Sequence, residues 1–382
     1  MRGTLFKKTN LLNVQKKGGK MAVIVKSTGK ALPKRKVTNS ELPKELDTND
    51  EWIVSHTGIR SRYIASEGET CAGLGAEACQ SALKAAGIGA SDVDLVICAT
   101  ATPDYSGFPS AACVIQAALG AVNAVCFDVT AACSGFLYAM DIASSMMERS
   151  GYKYALIVGA EVLSRICDWK DRTSCILFGD GAGAAVLERC EDGKDSGAAG
   201  TCCGDFGGDS ADTGRGLAGA SCELSEAAGV CGDFGGDSGG DLRKIGIGAF
   251  VSGSDGTGGN ALYVDKTGIM KMDGHAIYTF AVKIITEIIK ELMEKENLRA
   301  EDVDYFVCHQ ANERILSAAA KRLELDFNKF FITLDEYGNT SSASIPLTLA
   351  DMDSQGLLKK GTTIVTAAFG AGLTWAGTVI RF

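Results

Sequence analysis

Asp92-Val93-Asp94-Leu95-Val96-Ile97-Cys98 and Asp302-Val303-Asp304-Tyr305-Phe306-Val307-Cys308 are two versions of one phrase. In each, a helical segment ends (near Gly87, near Leu298), an acidic turn follows, and a short apolar run closes on cysteine. Short apolar runs bounded by turn residues read as buried strands. Each phrase is followed, in the same order, by a glycine-rich hairpin entering another strand: Gly179-Asp180-Gly181-Ala182-Gly183 and then Gly370-Ala371-Gly372. Two matches in one order predict an internal duplication. A duplicated chain builds a pseudo-symmetric core with a site where its halves meet.

Strand-like runs alternate with helical ones on either side of both phrases, the pattern of an α/β protein. Strands are predicted at 95–98, 124–128, 155–158, 175–178, 184–187, 305–308, 331–334 and 363–367. A helix is predicted over 275–295, where Ile277, Phe280, Ile284, Ile288 and Leu292 form one stripe and Lys283, Glu287, Lys290 and Glu294 stand off it. That three-to-four spacing buries one face and wets the other.

The chain of 382 residues is long enough for two ordinary domains or one duplicated domain. An apolar fraction of 46% and a charged fraction of 22% are a globular balance. A net charge of −9 argues against a general nucleic-acid binder, without excluding a local basic patch for an acidic partner. No run has the apolar length of a membrane span, and the N-terminus lacks a secretory core. Fourteen cysteines without a signal peptide imply reduced thiols and a cytoplasmic protein.

Two segments depart from the pattern. Residues 1–20, lysine-rich and without a sustained apolar run, read as an N-terminal extension. Residues 191–243 are dense in Gly, Asp, Ser and Cys and carry a tandem, Cys203 to Ser210 repeated at Cys231 to Ser238. Such low hydrophobicity cannot repay the entropy of ordering, so a mobile surface insertion is expected between halves at 21–190 and 244–382. A metal site using Cys202, Cys203, Cys222 and Cys231, or a calcium loop using the aspartates, fits neither spacing template, so no metal is expected.

Chemistry gathers at three strand-to-helix turns. Cys133 lies in Asp128-Val129-Thr130-Ala131-Ala132-Cys133-Ser134-Gly135-Phe136, ahead of a helix that stops at Ser150-Gly151. A thiol at a helix N-terminus meets unpaired N–H groups and the positive end of the dipole, which favours its thiolate. Read alone, one cysteine among fourteen is better taken as a buried structural one. Of only three histidines (His56, His275, His309), His309 follows a strand directly, at the C-terminal edge where ligands gather in α/β sheets. Asn339, in Tyr337-Gly338-Asn339-Thr340-Ser341-Ser342-Ala343-Ser344-Ile345-Pro346, suits either a turn or a cap.

Together these turns resemble the active-site motifs of the 3-oxoacyl-[acyl-carrier-protein] synthase III family. The family's Ala-Cys-(Ala/Ser)-Gly-Phe, His-Gln-Ala-Asn and Gly-Asn-Thr-Ser motifs match at Cys133, His309 and Asn339. The resemblance spans Met21 to about Glu188 and about Lys244 to Phe382. It implies a thiolase-like fold with a duplicated α-β-α-β-α layered core, and Cys133, His309 and Asn339 as a catalytic triad. By the same resemblance the backbone N–H groups of Cys133 and Ala371 form an oxyanion hole. Trp52, Arg172 and Asn312 contact coenzyme A, and Phe108 bounds the acyl pocket of a homodimer partner. Gln310, Ala311, Asn312, Glu313 and Arg314 dock an acyl carrier protein. The implied reaction is condensation of an acyl-coenzyme A with malonyl-carrier protein, without metal or redox cofactor. His56 departs from relatives that carry arginine near the coenzyme phosphates. Open alternatives are a secondary-metabolism enzyme, a branched or longer starter, and a non-catalytic scaffold. A papain-like hydrolase is excluded by the missing Cys-Gly-(Ser/Ala)-Cys context.

Overall fold

A computed structural model describes residues 21–191 and 245–382. The N-terminal extension, the bulk of the 191–243 insertion and the cysteines Cys202, Cys203, Cys222 and Cys231 lie outside the described residues.

The first sheet holds β1 (Met21–Ala31), β2 (Leu95–Ala99), β3 (Val125–Val129), β4 (Tyr154–Glu161) and β5 (Gly181–Glu191), in spatial order β1-β5-β4-β2-β3. The second holds β6 (Gly246–Ser254), β7 (Tyr305–Cys308), β8 (Thr363–Gly370) and β9 (Thr374–Arg381), in order β7-β8-β9-β6. The sheets repeat each other residue by residue. Leu95 pairs with Ala155, Ala155 with Leu187 and Leu187 with Val25. In the second sheet Tyr305 pairs with Ile364, Ile364 with Ile380 and Ile380 with Ile247. One pairing is parallel and the next two antiparallel in both. Even the bulge recurs, just after Val25 on β1 and just after Ile247 on β6. Register carried through three strands is the physical form of the duplication.

Six helices complete the layers: α1 (Cys71–Ala86), α2 (Ala111–Leu119), α3 (Gly135–Ser150), α4 (Gly274–Lys295), α5 (Glu313–Leu323) and α6 (Ser344–Ser354). Alternate strand residues face opposite sides. Leu95, Ile97 and Ala99 turn inward with Val307, Ile364 and Ala368 onto α3 and α6, which are sandwiched between the sheets. Val96 and Cys98 turn outward under α1 and α2. Phe306, Cys308, Val365 and Ala367 turn outward under α4 and α5. The order is therefore helix, sheet, helix, sheet, helix. Because α6 is covered on both sides, every residue from Ser344 to Met352 is buried.

Three local expectations are corrected. Residues 175–178 are not a strand: Arg172–Cys175 is a short helix capped by the Asp171 side chain, and Phe178 makes only a single bridge to Asn339. Residues 331–334 also fall short, with one bridge between Phe306 and Phe330. There the Gln310 carboxamide replaces a ladder, donating to Phe331 O (3.2 Å) and accepting from the N–H groups of Thr333 (3.1 Å) and Leu334 (3.2 Å). Gly179–Gly183 is no hairpin either, because residues 162–180 separate the antiparallel partners β4 and β5. Gly370–Gly372 is the true hairpin, joining β8 to β9.

Candidate active site

The two central helices start alike. A 3₁₀ turn, Ala132–Ser134, leads into α3, and its counterpart, Ser341–Ala343, leads into α6. Each opens on a non-glycine residue in the left-handed region, Ala132 at φ 46° and Ser341 at φ 49°. Strain of this kind persists only where surrounding structure fixes it. Cys133 on one side thus occupies the place of Ser342 on the other, and the turns abut. A Cβ on Gly135 would lie 3.8 Å from that of Ser342.

Cys133 is 9% exposed. Its backbone is covered by the end of β8 so closely that a Cβ on Gly370 would lie 2.7 Å from Cys133 N. Ala371 follows directly in the turn. Burial pushes the Cys133 thiol up to about 12, and the Glu161 carboxylate adds to the rise, while a hydrogen bond from the Ser341 side chain opposes it. The thiolate expected from the helix terminus is therefore not the resting state. Desolvation outweighs the dipole.

Asn339 is held at both backbone ends, its N–H donating to Leu177 O (2.8 Å) and its carbonyl accepting from Gly179 N (3.0 Å). Its Oδ1 accepts from Ser341 N at 2.9 Å, which orients the side-chain NH₂ as the remaining donor. His309 follows β7 and is 1% exposed. Its N–H donates to Ala367 O (2.8 Å), and its ring lies edge-on to Phe369, with centroids 5.3 Å apart. Nδ1 is 2.7 Å from Ser344 Oγ, and Nε2 is buried without a partner. Burial pushes this imidazole down to about 3, so it is neutral at ordinary pH. Ser341 is thus a neighbour of both Cys133 and Asn339, and Gly370, beside the Cys133 backbone, follows the Phe369 that packs on the His309 ring.

The motifs alone did not mark Glu161. It is wholly buried at the end of β4 and accepts from Thr102 Oγ1 (2.7 Å), Ser342 Oγ (2.8 Å) and Ala101 N (3.1 Å). It ties the loop after β2 to the Ser341–Ala343 turn beside Cys133. Burial raises its carboxyl, while these hydrogen bonds oppose the rise. An acidic residue closing the apolar run that starts at Ala155 was the available signal.

The outer candidates stand differently. Trp52 stacks on His56 (4.1 Å, 15°), and the Arg172 guanidinium lies 5.2 Å from the Trp52 ring while donating to Asp47 O. A base sandwiched between them would require about 7 Å, two stacking distances, so the pair rests closed. The Asn312 carboxamide caps α5 and donates to His56 O at 3.1 Å. Phe108 is 92% exposed. Arg314 is exposed, with Ala311, Asn312 and Glu313 half-buried. Gln310 leaves the docking patch: it is 1% exposed and its carboxamide is spent on residues 308 and 331–334. Among the described residues, no group of three or more His, Cys, Asp or Glu is placed to hold a metal, and no helix is long and apolar enough to cross a membrane.

A layered core whose two sheets repeat each other strand for strand places the chain in the thiolase-like class of folds. Residues 127–204 match the family model for 3-oxoacyl-[acyl-carrier-protein (ACP)] synthase III, and residues 293–382 match that for its C-terminal part. The chain belongs to the 3-oxoacyl-[acyl-carrier-protein] synthase III family. It is 41% identical over 366 residues to the beta-ketoacyl-[acyl-carrier-protein] synthase III of Allorhizobium ampelinum, covering 94% of this chain and 99% of that one. It is 39% identical over 378 residues to the same-named protein of Caldanaerobacter subterraneus subsp. tengcongensis, covering 95% and 98%. The crystal structure of 3-oxoacyl-[acyl-carrier-protein] synthase III from Aquifex aeolicus superposes with a TM-score of 0.78 at 36% identity, covering 94% of this chain and 100% of that one.

Proposed function

We propose that this chain is the initiating condensing enzyme of type II fatty acid synthesis, acting in the cytoplasm as a homodimer. The observation that carries the proposal is that Ser341, which follows Asn339, neighbours both Cys133 and Asn339, while Phe369, next to the Gly370 that covers the Cys133 backbone, packs on the His309 ring. In the first stage the Cys133 sulfur attacks the carbonyl of an acyl-coenzyme A, most simply acetyl. The acyl group passes to sulfur, and the displaced coenzyme A sulfur takes up the thiol proton. The N–H groups of Cys133 and Ala371 carry the oxyanion; removal of one such donor costs about 10²–10³ in kcat. Attack need not wait for a resting thiolate, since charge developing on that oxygen is stabilised as the proton leaves.

In the second stage malonyl-carrier protein loses carbon dioxide. The Asn339 NH₂ and His309 Nε2–H donate to the thioester oxygen as the enolate forms. The enolate carbon attacks the acyl-Cys133 carbonyl, and the thiol is released with one proton taken up. No metal or redox group enters this sequence. Splitting the transfer through a covalent acyl-enzyme replaces one hard step by two easier ones. Coenzyme A docks at Trp52, Arg172 and Asn312, with the Trp52–Arg172 contact opening for the adenine. Arg314, with Ala311 to Glu313, faces the acidic carrier protein, and Phe108 closes the acyl pocket of the partner. Relatives named as beta-ketoacyl synthases III at 39% and 41% identity favour this reading over a secondary-metabolism enzyme or a scaffold.

Intact-protein mass spectrometry after mixing with acetyl-coenzyme A tests it. Cys133→Ala is expected to show no acetyl adduct. Asn339→Ala is expected to load normally and lose about 10² or more of its condensation rate. An adduct persisting on Cys133→Ala protein would remove Cys133 from the role.

A further inference from the structure

His309 is anchored through one nitrogen, and the anchor decides what the other nitrogen can do. The 2.7 Å contact between Nδ1 and Ser344 Oγ allows two proton placements: the ring N–H donates to the hydroxyl, or the hydroxyl donates to the ring. The surroundings choose between them. Ser344 Oγ also faces the Gln310 backbone N–H at 3.5 Å, a group that can only donate. Gln310 cannot turn away, because its side chain is bonded to Cys308 O, Phe331 O and the N–H groups of Thr333 and Leu334. If Nδ1 also carried a proton, Oγ would face two donors, and its own proton would have no described acceptor in a site where Ser344 is 2% exposed. With the hydroxyl donating to Nδ1, every one of these groups is used.

We propose that Ser344 is a positioning residue that holds His309 as the neutral Nε2–H tautomer, so that the ring offers the substrate carbonyl a hydrogen-bond donor and not a base. The proposal deepens, and rests on, the reading of His309 as a donor in the condensation stage. The duplication supplies an independent support. By strand register Ala99 stands in the first half where His309 stands in the second, and Gly135 stands where Ser344 stands. There the two positions meet as bare carbon, a Cβ on Gly135 lying 3.1 Å from the Ala99 Cβ. One frame thus carries an apolar contact in the half that bears the nucleophile and a hydroxyl–imidazole pair in the half that bears the donor. Edge-on packing of Phe369 against the ring resists the flip that would exchange the two nitrogens.

The consequence is a division of labour. An imidazole already protonated at Nε2 cannot take the Cys133 proton, so loading proceeds without His309 and condensation requires it.

The test is long-range proton–nitrogen NMR on the full chain labelled with ¹⁵N-histidine. Only three rings contribute, and His309→Gln identifies the signal of interest. The expected result is an Nε2–H pattern for His309, unchanged between pH 8 and about 5.5. In Ser344→Ala the pattern shifts toward Nδ1–H, and Ser344→Thr, which keeps the hydroxyl, restores it. In the same variants, malonyl decarboxylation falls at least about tenfold in Ser344→Ala, while Cys133 acetylation stays near the wild-type rate. An Nδ1–H pattern in the wild type, readable even if no variant folds, overturns the proposal, as does an unaltered Nε2–H pattern in Ser344→Ala. Nε2–H in a protein that fails to condense malonyl thioesters would sustain the tautomer assignment and sink the functional reading alone.

Discussion

At the scale of single residues, burial sets the charge of the reactive groups before any substrate arrives. His309 is pushed down to about 3 by desolvation, and its Nε2 has no partner to compensate a second proton. The unfolded chain has no such constraint and titrates near 6.5. Between those values the unfolded state binds a proton that the folded state refuses. The His309 contribution to stability is therefore complete above about pH 6.5 and is lost as pH falls toward 3, at up to about 1.4 kcal/mol per pH unit. Urea unfolding of wild type and His309→Gln at pH 7.0 and 5.0 checks this. The wild type is expected to lose more stability between the two than the variant; equal losses would mean that His309 is not held neutral. The condensation rate, by the same reasoning, carries no ionisation near 6.5 from this ring. Cys133 follows the same rule from the other direction. A residue chosen in the sequence for its helix N-terminus proves to be governed by desolvation, and exposure cannot be read from a motif.

Between elements, the site depends on backbones approaching where no side chain fits. Gly370 ends β8 against the nucleophile turn, with a Cβ there placed 2.7 Å from Cys133 N and 3.1 Å from Ala131 O. Both contacts are with backbone, so neither can swing aside. Gly370→Ala must push the β8–β9 hairpin off the turn, separating the N–H groups of Cys133 and Ala371. Overpacking of this kind costs about 1–3 kcal/mol of stability, and a displacement near 1 Å at a reacting centre costs about 10² in rate. Thermal unfolding together with the rate of acetyl-Cys133 formation checks it. A variant that loads at the wild-type rate would show that the hairpin does not shape the oxyanion site. Much at this scale was legible in the sequence. The phrases at 92–98 and 302–308 are equivalent strands entered by equivalent turns, and the α4 stripe of Ile277, Ile284, Ile288 and Leu292 is the buried face. What escaped were places where a side chain does the work of a backbone. Nothing in Phe331-Ile332-Thr333-Leu334 announces that Gln310, 21 to 24 residues upstream, will take its hydrogen bonds. Ser344 and Glu161 escaped for a related reason: their partners lie 35 and 181 residues away, at His309 and Ser342, and only the fold joins them.

Across the whole molecule, one feature of the first half has no counterpart in the second. Strand β3 pairs with β2 along one side and is the last strand of its sheet. An unpaired strand edge is a template for another chain. Val125, 47% exposed, begins this strand and Val122, 75% exposed, lies just before it, while Phe108, 92% exposed, precedes the α2 turn whose Ala111 and Ala112 N–H groups donate to Asp128 of the same strand. Scattered exposed apolar residues need no explanation, but exposed valines at the start of an open edge strand invite one. Pairing of β3 with its copy across a twofold axis would bury them and carry each Phe108 loop toward the other protomer, an isologous contact of the commonest kind. Two substitutions separate the assembly from the pocket. In the proposed homodimer, Val125→Lys places a charge beside the strand edge and is expected to shift light-scattering mass from twice the chain mass toward one. If the partner's Phe108 loop closes the acyl site as proposed, condensation should fall at least about tenfold. Phe108→Ala should stay dimeric and change instead the ratio of octanoyl- to acetyl-coenzyme A accepted by Cys133. If the wild type ran as a monomer with full condensing activity, Phe108 would have no pocket to close and the edge of β3 would need another occupant.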